Sequence, residues 1–413
     1  MTATLLFVWA AVAMPAPAQT FTVLYSFTGS SDGGYPYGGL VQDSLGNLYG
    51  ATYNGGSAGY GVVFAVDSTG AETVLYNFQG GTTDGCHSYA GVVMDAGGNL
   101  YGTTSECGAS NHGIVFKVDT TGTETVLHNF AGGTTDGCLP YGGLTLDGAG
   151  NLYGTTSACG TSDYGVIFKL DSDGNETILY NFAGRNADGC HPFYSSPVAD
   201  AQGSLYGVAD GCGSSGHGVV YKLDSTGVET VLHSFAGGSD GCDPFGAVAL
   251  DSSGNVFGTT MNCGSAEGFG TVWEATQDKK ETVLHSFAGG TSDGSYAQAG
   301  LIMDASGNLY GNTLEGGDAN LGTVFEATQS GAVTLLHSFS YTDDGANPTG
   351  TLLQDASGNL YGTSLEGGSG GYGTVWVLSP QRKRLRTSPA AAKDASSVHS
   401  PARRQKLPQR KTG

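Results

Sequence analysis

The residues best suited to chemistry recur in pairs. Cys86, Cys138, Cys190 and Cys242 each follow an Asp-Gly, and Cys107, Cys159, Cys212 and Cys263 follow them in the same order, about 21 residues on. Two chemistries use such thiols, disulfide cross-linking and zinc ligation. Zinc needs four ligands, and only His87 and His191 stand beside a pair, so disulfides are the expected use. Units lacking one cysteine lack both, with Gly34 and Gly55, Ser295 and Gly316, or Ala346 and Gly367 at the matching positions. Eight cysteines allow 105 connectivities. Bridging from unit to unit strands Cys86 and Cys263, whereas Cys86–Cys107, Cys138–Cys159, Cys190–Cys212 and Cys242–Cys263 uses all eight.

Carboxylates form a second repeated set: Asp32, Asp84, Asp136, Asp188, Asp240, Asp293 and Asp344 each precede a glycine. That pairing marks a turn whose Asp accepts backbone hydrogen bonds. A ring of seven such groups could also draw a cation toward an axial mouth. The turn is the preferred reading, and no cofactor or metal is expected.

Around this frame the residue types change from unit to unit. After the first cysteine position stand Tyr35, His87, Leu139, His191, Asp243, Tyr296 and Asn347, with Tyr37, Tyr89, Tyr141, Phe193 and Phe245 close by. Before the second stand Asn54, Glu106, Ala158, Gly211, Asn262, Glu315 and Glu366. Aromatic rings beside polar groups on rigid loops suit recognition of a sugar or peptide by stacking and hydrogen bonding. Tyr35, Tyr37, His87, Tyr89, Glu106, His191 and Phe193 are therefore the candidate ligand contacts. The competing reading has these aromatics capping the narrow end of a core. No nucleophile–base–acid set and no phosphate-binding loop stands out, so no catalytic residue is assigned.

The elements that must hold these groups follow from the repeat. Asn-Leu-Tyr-Gly or a close variant begins at Asn47, Asn99, Asn151, Ser204, Asn255, Asn308 and Asn359, a period of 51 to 53 residues. Each unit reads as four short strands rich in β-branched and aromatic residues, separated by Gly, Asp, Asn and Ser. In the third unit these span 143–147, 151–156, 165–171 and 176–182. Four strands per repeat, seven times, predict an all-β chain forming a single seven-bladed β-propeller with four antiparallel strands per blade. Residues 21–27 copy a fourth strand and the chain's last repeat stops after a third. The N-terminal segment is therefore expected to close the ring as the outer strand of the last blade, beside 373–379, which removes an exposed edge. Asp147-Gly148-Ala149-Gly150, echoed at Asp95, Asp304 and Asp355, reads as a repeated turn.

The unit Gly-Asn-Leu-Tyr-Gly-Thr-Thr, then Gly-Thr-Val-Phe or Gly-Val-Ile-Phe, then Glu-Thr-Val-Leu-His-Ser-Phe-Ala-Gly-Gly and Asp-Gly, resembles the GloVer tandem repeat of exported bacterial proteins. The resemblance covers about residues 21–379. It implies a propeller-type body, export and a variable C-terminal anchoring device. The tail here carries neither an apolar anchor nor a recognisable sorting motif.

Composition agrees with this class. Charged residues make up 13% and glycine supplies 71 of 413 residues, a usage that favours tight turns and close backbone contacts over helices. Up to Pro380 the chain holds 6 Lys/Arg against 36 Asp/Glu, a net −30; residues 381–413 hold 10 against 1, a net +9. So acidic a body repels phosphate backbones, and no nucleic-acid partner is expected. Residues 1–18 read as a signal peptide, with an apolar run over 5–14 and Ala16-Pro17-Ala18 before Gln19. Residues 19–380 are the propeller, and 381–413 a basic disordered tail. A secreted or cell-envelope monomer without a transmembrane span after processing is expected. Its function reads as a binding or scaffold module for an envelope glycan or peptide. The alternative is an exported propeller enzyme of lyase, lactonase or glycosidase type acting on a carbohydrate-like substrate.

Overall fold

The computed structural model describes residues 19–380 apart from 185–187 and 266, so the signal-peptide and tail assignments lie outside the described residues. Seven four-stranded antiparallel sheets form the seven blades. Blade 1 comprises Val41–Gln42, Leu48–Ala51, Val62–Val66 and Glu72–Asn77. Blade 7 comprises Leu353–Gln354, Leu360–Ser364 and Thr374–Ser379, and its outer strand is Thr20–Ser26 from the other end of the chain. That pairing runs from Thr20 opposite Ser379 to Ser26 opposite Thr374 and closes the ring as expected. The third-unit strands fall at Thr145–Leu146, Leu152–Thr156, Val166–Leu170 and Glu176–Asn181. Only the innermost is much shorter than its sequence pattern.

Aromatic rings glue adjacent blades. The last Phe of each outer-strand motif is fully buried, and its ring meets the third-strand aromatic of the next blade. Phe78 lies 5.1 Å from Phe116, Phe130 5.2 Å from Phe168, Phe235 5.6 Å from Trp273 and Phe339 5.7 Å from Trp376. The near-perpendicular pairs among these add edge-to-face attraction to the burial of the rings themselves.

At the axis the constraint is space. A Cβ on Gly38 would lie 1.9 Å from the Gly91 nitrogen, one on Gly91 2.1 Å from the Gly39 oxygen, and one on Gly246 2.4 Å from the Gly300 nitrogen. The innermost chains of neighbouring blades thus touch backbone to backbone, which only glycine permits. The second strands latch these segments together. Thr103 donates to the Gly142 carbonyl at 3.0 Å, Thr155 to Ser195 at 2.7 Å, Thr259 to Ala299 at 3.1 Å and Thr363 to Gly38 at 3.0 Å. Asn312 does the same for Gly350. Blade 1 has Ala51 at this position, and Ser88 of the next blade donates to the Ala90 carbonyl instead.

The Asp-Gly carboxylates do not converge on the axial mouth. They lie at the outer-strand seams, consumed in their own turns and by the recurring Tyr or His of the outer strand. Tyr25 donates to Asp32 at 2.9 Å and Tyr76 to Asp84 at 2.8 Å; His285 sits 3.0 Å from Asp293 and His337 2.8 Å from Asp344. Backbone N–H groups complete the shell, as from Gln79 and Gly85 onto Asp84. The cation-drawing alternative therefore has no geometric support, because each carboxylate is satisfied where it stands.

A third group enters most seams from the next blade. Glu72, Glu124, Glu176, Glu229 and Glu281 open their outer strands, and one oxygen of each is buried without a hydrogen-bond partner. Burial first, and then a neighbouring aspartate, raises each of these carboxyls to about 7; for Glu176 the nearby His128 works against that rise. Blade 6 has Val333 there, and blade 7 has Phe21 stacked on His337 at 3.8 Å.

Two outcomes are expected. Gly91→Ala forces backbone shifts at the axis and should cost about 3 kcal/mol or more, whereas Gly148→Ala, with open space around its Cβ, should stay within about 0.5 kcal/mol. Denaturant unfolding of both variants compares them directly. The second concerns pH. A carboxyl whose folded pKa is raised keeps its proton when the unfolded chain has lost it. The stability this contributes is complete below the ordinary value of 4.5 and is lost as pH rises toward about 7. The urea midpoint should therefore fall between pH 5 and pH 7.5, and changing all five glutamates to Gln should flatten the slope; a midpoint rising over that interval would contradict the assignment.

Candidate functional site

On the face carrying the cysteines, every blade presents the same backbone device. Tyr35, His87, Leu139, His191, Asp243, Tyr296 and Asn347 all adopt left-handed conformations, with φ between 54° and 60°. Such a conformation costs a non-glycine residue about 1 kcal/mol or more. A hydrogen bond across the seam offsets it, since each N–H donates to the preceding blade: His87 to Tyr60 at 3.0 Å, His191 to Tyr164 at 3.0 Å, Tyr35 to Tyr372 at 2.8 Å.

The segment just before this residue forms a short ribbon with the one that carries the second cysteine. Gly85–Cys86 pairs with Glu106–Cys107, Gly137–Cys138 with Ala158–Cys159, and Gly189–Cys190 with Gly211–Cys212. Disulfides Cys86–Cys107, Cys138–Cys159, Cys190–Cys212 and Cys242–Cys263 staple four of these ribbons, as the sequence spacing implied. Among the described residues no cysteine is free.

Held on these ribbons and on the chain that follows them is an unbroken run of aromatic rings. Tyr37 lies 5.0 Å from Tyr89; Tyr53 lies 4.7 Å from Tyr89 and 4.5 Å from His87. Tyr89 meets Tyr141 at 5.1 Å, Tyr141 stacks on Phe193 at 5.1 Å, and Tyr194 reaches Tyr89 at 5.7 Å and Phe245 at 6.0 Å. The run spans blades 1 to 5. Blades 6 and 7 carry Gln298 and Thr349 at the same repeat position, so the axial face is aromatic on one side and polar on the other.

Tyr37, Tyr89, Tyr141 and Tyr194 converge on a cavity of about 60 Å³ at the axis, completed by Gln298, Thr349, Thr351 and the glycine segments of several blades. Burial raises the phenol of each of these tyrosines, with smaller contributions from neighbouring tyrosines and from Glu366 at Tyr37 and Glu106 at Tyr141. All four are neutral hydroxyls at physiological pH.

The sequence candidates divide into two groups. Tyr37, Tyr89 and Phe193 belong to the aromatic run, and Glu106 borders it beside Tyr141. His87 and His191 are clips as well as rim residues: their Nδ1 atoms lie 3.1 Å from the Tyr53 carbonyl and 2.8 Å from the Ser157 carbonyl, across the seam. Tyr35 turns away to meet Tyr372 at 5.4 Å. Sequence reasoning left out Tyr53 and Tyr194 and noted Tyr141 without selecting it. Tyr194 had a visible signal, because the cysteines of blade 4 are separated by 22 positions instead of 21. That extra residue is Tyr194, in a left-handed conformation of φ 50° that swings its ring over the axis.

Asp210 was also missed. It fills in blade 4 the position of Tyr53 in blade 1, and burial, then the charge of Asp243, raises its carboxyl to about 7. Asp243 is tied by a 2.8 Å hydrogen bond from Asn262. Two side-chain groups have donor sets a metal could use, His128 with Asp136 and Glu176, and His233 with Asp240 and Glu281, each within 4.8 Å. In both, the aspartate already serves its turn, accepting N–H from Ala131 or Ala236. A third, Cys86 with His87 and Glu106, loses its thiolate to the disulfide.

No helix among the described residues is long and apolar enough to cross a membrane. No curated protein sequence matches this chain. Among solved structures, it is similar to the extracellular domain of a hybrid two-component system of B. thetaiotaomicron, with a TM-score of 0.53 and 12% identity over 88% of this chain and 40% of that one. It also matches a puromycin hydrolase (TM-score 0.49, 13% identity, 80% of this chain and 50% of that one) and a protein assigned as a gluconolactonase (0.37, 14%, 64% and 80%). At these identities the first likeness bears on the fold alone. At the level of sequence families, the Gloeobacter/Verrucomicrobia repeat matches residues 10–195 and 192–406, and together these cover nearly the whole chain. This seven-bladed chain belongs to the Gloeobacter/Verrucomicrobia repeat family.

Proposed function

We propose that the protein is an exported binding propeller, secreted or held at the cell envelope, that recognises a glycan on its disulfide-braced axial face. The aromatic run from Tyr37 to Phe245 carries this reading. Sugar rings present apolar C–H faces that stack on tyrosine and phenylalanine, and hydroxyls that need polar partners alongside. Gln298, Thr349 and Thr351, which line the same cavity, supply such partners. The surface is rigid, because disulfides and seam hydrogen bonds hold every ribbon, and rigidity limits the ordering cost of binding. A peptide would use the same rings, but its backbone calls for an unpaired strand edge or a row of free amides. Here the ribbon amides are already bonded to each other.

Export is supported by the leader-like residues 1–18 and by four disulfides, which persist in oxidising compartments. A second reading, a carbohydrate-active enzyme, draws on Asp210 and Asp243. The Asp210 carboxyl, raised by burial and then by the charge of Asp243, suits a general acid. Turnover of a bound glycan, lost in Asp210→Asn with binding retained, would establish it.

The binding reading is tested with Tyr89→Ala combined with Tyr141→Ala on a glycan array and by calorimetry. Each aromatic contact contributes roughly 1 kcal/mol, so the pair should lose on the order of tenfold or more in affinity. Near-ultraviolet circular dichroism and the disulfide map should be retained. Glycan binding that survives the double change would move the function away from this face. Secreted material should begin at Gln19, as read by mass spectrometry of the intact chain.

A further inference from the structure

The axial cavity is too small for the ligand just described. At about 60 Å³ it holds roughly four waters, taking about 15 Å³ for each. A whole sugar ring does not fit; a single ammonium group does. What surrounds the cavity suits that charge. Tyr194 brings a ring that the other blades lack, and four tyrosines then tilt against one another around one point, with Tyr37 at 55° to Tyr89 and Tyr141 at 44° to Tyr194. Aromatic faces attract cations through their quadrupole, the more so when water is excluded.

Charge at the rim has the same sign preference. Glu106 lies near enough to Tyr141, and Glu366 near enough to Tyr37 and Tyr35, for their charges to act on those phenols. Neither carboxylate has a side-chain hydrogen bond or an ion pair among the described residues, where every ion pair involves a histidine with Asp or Glu. The Asp-Gly aspartates are satisfied in their turns, whereas these two are free to face a ligand.

We infer that the tyrosine cavity takes the ammonium group of an amino sugar, with Glu106 and Glu366 supplying negative charge on the surrounding face, so that the glycan recognised is one bearing free amines. This rests on the glycan reading above and narrows it. The rest of the chain of sugars lies over the aromatic run outside the cavity, with Tyr89 and Tyr141 as its floor.

Calorimetry on the whole protein with four probes decides the matter: a β-1,4-glucosamine hexamer, its fully N-acetylated counterpart, cellohexaose and tetralysine. The glucosamine hexamer should bind at least about tenfold more tightly than the acetylated and neutral hexamers. Its affinity should fall as salt is raised. Tyr194→Gly is compatible with the left-handed backbone there and should cost about tenfold for this probe. The combined Glu106→Gln and Glu366→Gln change keeps side-chain shape and should do the same, with unchanged unfolding midpoints for both variants. Equal binding of the acetylated hexamer or cellohexaose overturns the amine requirement and leaves the glycan reading standing. Binding of tetralysine with no hexamer bound overturns both in favour of a peptide. No binding of any probe overturns both.

Discussion

Seven inner chains must pass the axis within touching distance, and the rest of the architecture accommodates that crowding. The nearest atoms a Cβ would meet at Gly38, Gly91, Gly246 and Gly350 are backbone atoms of a neighbouring blade, and these do not move aside. Innermost strands consequently keep only two laddered residues in six of the seven blades, the exception being Cys242–Leu250 in blade 5. Carbonyls left over by this shortening are met by Thr and Asn from the neighbouring blade, or in blade 2 by its own Ser88. Satisfying them is not optional at a buried position. The inner chains are therefore tied to one another by hydrogen bonds, leaving a cavity of about 60 Å³ at the axis.

Farther out, the blades are held by two repeated contacts of different character. Apolar adhesion comes from the Phe that ends each outer strand and the aromatic it meets in the next blade. Polar adhesion comes from the Asp of each Asp-Gly turn, the Tyr or His beside it and, at five seams, a buried glutamate. The glutamates are the weak part of this arrangement at neutral pH. An ionised carboxylate there would be buried beside another negative group, which is why they hold protons well above the usual carboxylate range. A body with 36 acidic and 6 basic residues up to Pro380 thus carries less charge in its folded state than its composition states.

The braced half of the ring is also the aromatic half. Disulfides occur in blades 2 to 5, and the aromatic run extends from blade 1 to blade 5; blades 6 and 7 have neither. Each bridge flanks a left-handed rim residue and so fixes the direction in which the following rings point. Repetition supplies the frame, and asymmetry arises from departures such as Asp210 where blades 1 to 3 have Tyr53, Ser105 and Ser157, Gln298 and Thr349 in place of aromatics, and Tyr194, the extra residue between the cysteines of blade 4.

Fold and disulfide pattern were legible in the sequence because both are periodic. Seven copies of Asn-Leu-Tyr-Gly or a close variant, a fourth-strand motif at one end and a missing fourth strand at the other determine the blade count and the closure, and cysteines that occur together within a unit determine their partners. The same periodicity hid the rest. His87 and His191 looked like free rim groups, and only the ring's curvature shows their Nδ1 atoms reaching a carbonyl of the preceding blade. The Asp-Gly carboxylates were legible as turn residues, but not their Tyr and His partners on the outer strands. Which rings share the axial cavity could not be read from spacing, because Tyr37, Tyr89, Tyr141 and Tyr194 lie about fifty residues apart along the chain and meet only where the blades converge. Local residue types dictate strands and turns, since these depend on neighbours in sequence; the site depends on distances across the axis, and those exist only once the ring has closed.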